Sequence, residues 1–356
     1  MLKTIEKRSD RFFELDLIRC VAMLCIFLFH FGISVRTNGI IYEHSPYSVG
    51  RNIILGQQGV SLFFILSGCT SVLSYESILD KSPGEPGRNI LSYYAKRLLG
   101  ILPLYWCVYF VAFLLLRAPS GDVWSFRYLF TLTGVDGYLL MRGVSTPYLI
   151  GEWFIGTILI LYFLFPLFYY CISKYPKIMA ASLAVFFVLF NAFYPFSWDR
   201  EIEALTRIPE FCFGIYYIKY VREKHKWGKG LISLIVLTVC LLVPFHFHSM
   251  YAIAIQGISS FMVLAWAGKY WSITEAHFVK GSQRIVTALA GVAYGIFLTH
   301  HFLMEWILPA YSGNIWTTSI WIRLSCYTFL LSLVLAVLLR YPANAISRRL
   351  KEILKV

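Results

Sequence analysis

Two ionisable residues in the first apolar run, Arg19 and His30, stand eleven positions apart. At ~100° per residue, eleven residues turn a helix ~20° past three full turns, so both side chains share one face with ~16 Å of rise between them. Viewed down the helix axis, Asp16 lies ~40° from His30, on the side opposite to Arg19, and so belongs to the same stripe. An imidazole has the pKa range of a general base for a hydroxyl group. Ionisable groups inside an apolar helix are costly and mark functional sites, although a histidine can also bond a neighbouring helix and an arginine can extend to lipid phosphates.

The helix that carries these residues is one of many apolar runs, whose number predicts a membrane protein. Hydrophobic residues make up 58% and charged residues 14% of the 356 residues, against roughly 45–50% and 25% in soluble domains. Because ~20 apolar residues cross a bilayer, we expect an all-α, polytopic transmembrane helix bundle of about ten spans in a single domain, residues 1–356. The predicted spans are residues 17–35, 53–73, 98–117, 149–172, 178–196, 205–221, 231–248, 251–268, 285–308 and 317–340.

Charged residues predict how these spans are oriented. A further run, residues 123–141, includes Arg127 and Asp136 and is predicted to be a re-entrant or interfacial helix. With both termini in the cytoplasm, 24 of the 32 Lys and Arg residues fall at cytoplasmic ends and loops, which agrees with the positive-inside rule. The net charge of +13 is then a topology signal, and nucleic acid is not an expected partner. The eight cysteines form no CxxC pair or His/Cys cluster, so no metal is expected.

Two further segments have polar residues within or beside predicted spans. Glycines and serines recur between residues 56 and 68, and in lipid such residues commonly allow close helix packing. The third span opens with the basic pair Lys96 and Arg97, followed by Pro103 and the aromatic pair Tyr105 and Trp106. A basic pair at a cytoplasmic boundary fits a phosphate-bearing ligand as well as it fits topology.

Taken in order, these segments resemble the acyltransferase-3 family of bacterial membrane acyltransferases. In that family an arginine, ten intervening residues and a histidine mark the first span, and Arg19 and His30 match that spacing. Any single motif is weak, but the ordered set is specific and extends over nearly the whole chain. The matching segments are residues 15–19 with His30, 59–68, 96–106, 153–156 with Tyr162 and Pro166, 207–211 with Gly214, and 294–300.

Members of this family usually move an acetyl group from acetyl-CoA to a hydroxyl group of a surface glycan. The resemblance therefore implies an acetyl-CoA-dependent O-acyltransferase of the plasma (inner) membrane, surrounded by lipid, whose acceptor is a glycan or lipid-linked sugar. His30 would act as a general base or as a covalent acyl relay. The expected catalytic residues are His30, Arg19, Asp16 and Glu152, the donor-binding residues are Arg19, Lys96, Arg97, Ser67 and Tyr105, and the acceptor-binding residues are Trp153, Trp106 and His300.

Several positions depart from the family pattern. Ser61, Gly100 and Ala293 stand where many relatives have an acid, an arginine and a serine. Ile158 stands where many have an acid five positions after the tryptophan. Glu152, beside that tryptophan, is the nearest residue that could replace the missing charge.

Other classes of membrane protein share some of these features. A transporter or flippase for a lipid-linked sugar or small metabolite would also use many spans, a cavity histidine and basic inner loops. The Arg-to-His spacing and the FF-x-LSG segment favour acyl transfer, because a transporter does not need them. A purely structural membrane subunit would not explain why ionisable residues such as Arg19 and His30 stand inside an apolar span. His301, Glu305 and Arg323, near the last two spans, have no role assigned by the sequence.

Overall fold

The computed structural model describes residues 12–42, 48–49, 53–80, 84–116, 126–146, 149–150, 153–224, 227–242, 249–274 and 277–354, and these residues are mostly helical. A two-residue antiparallel pair, β1 (Ser48–Val49) and β2 (Ile53–Ile54), precedes the second helix. The helices are α1 (Phe13–Thr37), α2 (Leu55–Leu79), α3 (Pro86–Leu116), α4 (Tyr128–Thr133), α5 (Asp136–Leu140), α6 (Trp153–Lys174), α7 (Pro176–Ala192), α8 (Ala204–Tyr216), α9 (Trp227–Leu242), α10 (Ser249–Ser272), α11 (His277–Ala290), α12 (Ala293–Ile307) and α13 (Thr318–Leu354).

Six of these helices are long and apolar enough to cross a membrane, namely α1, α2, α3, α6, α10 and α13. The bent pair Val279–Ala290 and Ala293–Tyr311, with 60° between its two parts, makes a seventh if it counts as one span. The polytopic helical bundle is therefore confirmed. The apolar helices in α7 and α9 are shorter, at Pro176–Ala192 and Gly228–Cys240, and the number of ten spans stays a prediction.

The segment predicted to be re-entrant or interfacial forms two short helices, α4 and α5, of six and five residues. Neither approaches the ~20 residues that a crossing needs. Gly134 joins them with a φ of 75°, a left-handed conformation that glycine adopts without strain. The Tyr105 hydroxyl of α3 donates to the Asp136 carboxylate at 2.6 Å and anchors α5 to the bundle.

The centre of the bundle is built where α2 crosses α8 at very close range. A Cβ atom on Gly68 would collide with the backbone oxygen of Phe211, and one on Gly214 would collide with that of Ile65. The Cys69 thiol donates to the Gly214 carbonyl at 3.3 Å across the same crossing. The glycines between residues 56 and 68 thus include one whose role is packing, as small residues commonly provide in lipid.

A buried ion pair fixes the beginning of α1. Nε of Arg222 donates to the Glu14 carboxylate at 2.7 Å, and the guanidinium lies 3.4 Å above the ring centroid of Phe12. Glu14 is 2% exposed, so removal of its partner would leave a buried charge. This pair joins the first turn of α1 to the segment that follows α8. It thereby fixes the start of the helix that carries His30.

Candidate active site

His30, near the end of α1, forms a pair with His300 of α12. Nδ1 of His30 lies 2.7 Å from Nε2 of His300, and the two rings are nearly parallel, with 5.0 Å between centroids and 14° between planes. His300 is 1% exposed. One of the three residues predicted to bind the acceptor, His300, is therefore in direct contact with the predicted base.

The hydrogen bonds of His300 determine where the protons lie. Its Nδ1 is 3.2 Å from the backbone oxygen of Ile296, and because a carbonyl only accepts, Nδ1 of His300 must carry a hydrogen. For neutral rings, Nε2 of His300 is then an acceptor, and Nδ1 of His30 donates to it. Nε2 of His30 therefore carries the lone pair that a general base uses.

A third histidine flanks the pair. The ring of His301 meets that of His30 edge-on, with 5.1 Å between centroids. One turn later in α12, the Glu305 carboxylate lies 3.4 Å from Nδ1 of His301. Across the residues that the structure describes, no group of three or more His, Cys, Asp or Glu side chains has the arrangement of a metal site.

His30 opens on a cavity of about 170 Å³, which we call the His30 cavity. Trp153 contributes an aromatic wall, and Gln57, Glu201 and Arg207 contribute polar groups. A small cavity that combines aromatic surface with a few directed polar groups suits a sugar hydroxyl and its ring. Its described lining residues are Ile26, Phe29, His30, Ile54, Gly56, Gln57, Val60, Trp153, Phe154, Glu201, Arg207 and Phe297.

A buried polar network supports one wall of the His30 cavity. Nη1 of Arg207 lies 3.1 Å from the Glu210 carboxylate, and both side chains are 1% exposed. Nε of Arg207 donates to the Glu201 backbone oxygen at 2.9 Å. The Ser61 hydroxyl donates to the Glu210 carboxylate at 2.5 Å. Ser61 stands at the position expected to hold an acid in many relatives, and here it contacts an acid from another helix.

Glu201 is the acidic residue that sequence reasoning missed. It lies in the short 3-10 helix Arg200–Ile202, and Gln57 donates to its carboxylate at 2.5 Å. Burial raises the pKa of the Glu201 carboxyl above its ordinary value, while the hydrogen bond from Gln57 opposes that shift. In the sequence it stands in a polar connection between two apolar runs, which is typical of a surface loop and gave no sign of a cavity.

A second cavity, which we call the Arg97 cavity, brings together four of the predicted donor-binding residues, Arg19, Ser67, Lys96 and Arg97. It measures about 210 Å³, and none of the residues described along its wall is acidic. The remaining described lining residues are Phe63, Leu66, Thr70, Gly100, Ile101, Phe154, Ile155, Ile158, Tyr162 and Tyr294.

Arg97 is held rigidly at this cavity. Its guanidinium donates to the backbone oxygen of Thr70 and lies 5.2 Å from the ring centroid of Tyr162. Its buried Nε has no hydrogen-bond partner among the described residues. A guanidinium held in this way places a positive charge at the cavity wall, which suits a phosphate or another anion.

Three phenylalanines in mutual contact separate the two cavities. The ring centroids of Phe63 and Phe154 are 6.1 Å apart, those of Phe63 and Phe297 are 5.9 Å apart, and those of Phe154 and Phe297 are 5.5 Å apart. Phe154 lines both cavities. We call this layer the phenylalanine partition.

The other predicted site residues lie away from the two cavities or do not face them. Asp16 is buried and pairs with Nη1 of Arg19 at 3.0 Å. Tyr105 bonds Asp136, and the Trp106 indole donates to the backbone oxygen of Leu132 at 2.9 Å, so both are used to hold α4 and α5 and neither is among the described lining residues of either cavity. Glu152 lies outside the described residues.

The chain matches the family model described as an acyltransferase domain, that of the acyltransferase-3 family, over residues 12–341. The matched stretch begins before α1 and ends within α13, so it contains every described lining residue of both cavities and all three clustered histidines. Neither curated proteins nor solved structures give a match.

Proposed function

The chain belongs to the acyltransferase-3 family of membrane acyltransferases, and from that premise we propose that it transfers an acetyl group from acetyl-CoA to a hydroxyl group of a glycan or lipid-linked sugar. The observation that carries this proposal is the His30–His300 pair beside the His30 cavity, in which the bond from His300 to Ile296 assigns the lone pair of the His30 ring to Nε2. His30 is the general base of the reaction.

The reaction that this base serves is a direct acyl transfer. Nε2 of His30 takes the proton of the acceptor hydroxyl as its oxygen attacks the thioester carbonyl carbon. The carbon–sulfur bond then breaks, and the proton passes from His30 to the departing CoA thiolate. In the alternative relay, Nε2 of His30 attacks the thioester carbonyl carbon and the CoA thiolate leaves. The acceptor oxygen then attacks the acetyl carbon, the carbon–nitrogen bond breaks, and the hydroxyl proton ends on the CoA thiolate. The same hydrogen bond to His300 orients the ring in both routes.

The donor occupies the Arg97 cavity. Acetyl-CoA is polyanionic, and Arg19, Lys96 and Arg97 provide positive charge there. Its pantetheine arm is thin enough to pass between helices, and the shortest way to the His30 cavity is through the phenylalanine partition, which must therefore open during turnover.

The two substrates approach from opposite sides of the membrane. Thirteen residues separate Leu17 from His30, which is ~20 Å along a helix and so lies in the outer half of a ~30 Å core when the N terminus is inside. The acceptor then enters the His30 cavity from outside, against Trp153, while acetyl-CoA is used from the cytoplasm. The acetyl group crosses the plasma (inner) membrane and CoA does not.

Membranes that contain the protein test this proposal directly. Acetyl-labelled acetyl-CoA should transfer label to glycan or lipid-linked sugar, and His30→Ala should abolish the transfer without loss of folded protein. Leu24→Ala is the matched control, because Leu24 lies on the same helix with 41% of its surface exposed. Equal labelling by wild type and a well-folded His30→Ala variant would contradict the catalytic role of His30, and an absence of label in all acceptor fractions would contradict acetyl transfer.

A further inference from the structure

A third cavity adjoins the Arg97 cavity between α3, α12 and α13, and we call it the Arg340 cavity. It measures about 330 Å³ and is lined by three cationic residues, Lys96, Arg340 and Lys351, together with Asn344 and Ser347. None of its described lining residues is acidic. Within the described ranges, Arg340 and Lys351 form no ion pair with a carboxylate.

The polar residues of α13 at this cavity form a single stripe. Arg340, Asn344, Ser347 and Lys351 lie within ~60° of one another around the helix, and ~16 Å separates the first from the last. The Ser347 hydroxyl donates to the Leu99 backbone oxygen at 3.3 Å and holds the stripe against α3. Since α13 has 37 residues, or ~55 Å against a ~30 Å hydrocarbon core, its C-terminal turns extend beyond the apolar layer.

The Arg340 and Arg97 cavities are neighbours. Lys96, Gly100 and Tyr294 line both of them. Gly100 presents no side chain at this junction, and a Cβ atom there would meet no atom within 4 Å. A long ligand with one part in each cavity would pass Gly100, with Lys96 beside it.

We propose that the Arg340 cavity binds the 3′-phosphorylated adenosine diphosphate end of the CoA donor, with Arg340 and Lys351 on its phosphate groups. This inference rests on the proposed function, since it completes the same donor site. CoA has phosphates at the 3′-oxygen of ribose and in the diphosphate, close together at its nucleotide end. The long side chains of Arg340 and Lys351 both line the one cavity that would hold this end. Cations gathered around one cavity repel each other, and a polyanion relieves that repulsion.

The cations of the Arg340 cavity would also suit the phosphate of an anionic lipid headgroup. The test therefore compares a nucleotide phosphate with a lipid phosphate. Adenosine 3′,5′-bisphosphate is the nucleotide probe, and phosphatidylglycerol supplied to the full-length protein in detergent is the lipid probe. The variants are Arg340→Gln, Lys351→Gln and the double variant. Arg349→Gln is the matched control, because Arg349 is ~180° from Arg340 around α13 and pairs with Glu352.

Wild type should bind the nucleotide probe, and the double variant should bind it about tenfold or more weakly, while Arg349→Gln keeps the wild-type dissociation constant. The double variant should also raise the KM for acetyl-CoA and leave the acceptor KM unchanged. Equal nucleotide binding by wild type and double variant would overturn the proposal, as would weaker retention of phosphatidylglycerol with unchanged nucleotide binding. A wild type that binds the nucleotide through these residues but transfers no acetyl group would overturn the proposed function and leave the anion site in place.

Discussion

Nδ1 of His30 and Nε2 of His300 lie 2.7 Å apart although 270 residues separate them in the chain. The bond from His300 to the Ile296 carbonyl makes His300 an acceptor towards His30. His300 thus favours the tautomer of His30 that the proposed base needs, which is the task of the third group behind many catalytic bases.

Removal of His300 should therefore reduce turnover without removing the base itself. We expect His300→Ala to lower kcat about 10²-fold, the lower range of a general-base contribution, with little change in either KM. His300→Asn should recover part of the loss, since its amide oxygen can accept from Nδ1 of His30. Steady-state kinetics on purified protein measure both. A wild-type kcat in folded His300→Ala would remove its positioning role.

Arg97 should contribute to donor affinity rather than to acceptor affinity. Arg97→Gln removes a positive charge from the wall of the Arg97 cavity, and we expect the KM for acetyl-CoA to rise about tenfold or more. Arg88→Gln serves as the control, because Arg88 lies on the same helix with its side chain 70% exposed. A larger change in acceptor KM than in donor KM would contradict a donor site at Arg97.

The phenylalanine partition should keep water away from the thioester. Phe154→Ala removes the ring that lines both cavities, so we expect faster release of CoA thiol from acetyl-CoA without acceptor. Phe163→Ala, at a 69% exposed residue of the same helix, should leave hydrolysis at its wild-type rate. If Phe154→Ala and Phe163→Ala hydrolyse acetyl-CoA equally, the partition has no such role.

The Arg207–Glu210 pair should matter chiefly for stability. Both side chains are 1% exposed, and loss of one member leaves a buried charge that costs about 3–5 kcal/mol. We expect Arg207→Met to lower the free energy of unfolding by about this amount and Arg207→Met with Glu210→Met to recover much of it. Unfolding in detergent, followed by circular dichroism, compares the two. A double variant less stable than the single variant would contradict this account.

Sidedness follows from the depth of His30 and the distribution of basic residues. In sealed right-side-out vesicles, acetyl-CoA loaded inside should support acetylation of an external acceptor, whereas acetyl-CoA added outside should not. Vesicles opened with detergent provide the control, because both faces are then accessible. Efficient use of external acetyl-CoA by intact vesicles would reverse the orientation of the donor site.

The grouping of the basic residues proposed to bind the donor was predictable from the sequence because it depends on local order. The spacing of Arg19 and His30 along one helix follows from helical periodicity alone, and the adjacent pair Lys96 and Arg97 follows from its position at the start of a span. Arg19, Lys96 and Arg97 indeed line one cavity. The structure places Tyr105 and Trp106 against the short helices α4 and α5 instead of along either cavity. The sequence could not indicate this, because an aromatic side chain at a span gives no sign of whether it faces a ligand or a neighbouring helix.

The sequence by itself thus determined the helical membrane class and the stripe that carries the predicted base, because apolar length and helical period are properties of contiguous residues. It did not show that the predicted span 285–308 is divided by a 60° bend. Only the tertiary structure decided that His300 faces His30, that Glu201 enters the cavity and that three phenylalanines separate the two cavities. These contacts join helices far apart in the chain. They depend on which faces of α1, α6 and α12 meet, and close packing between helices selects those faces.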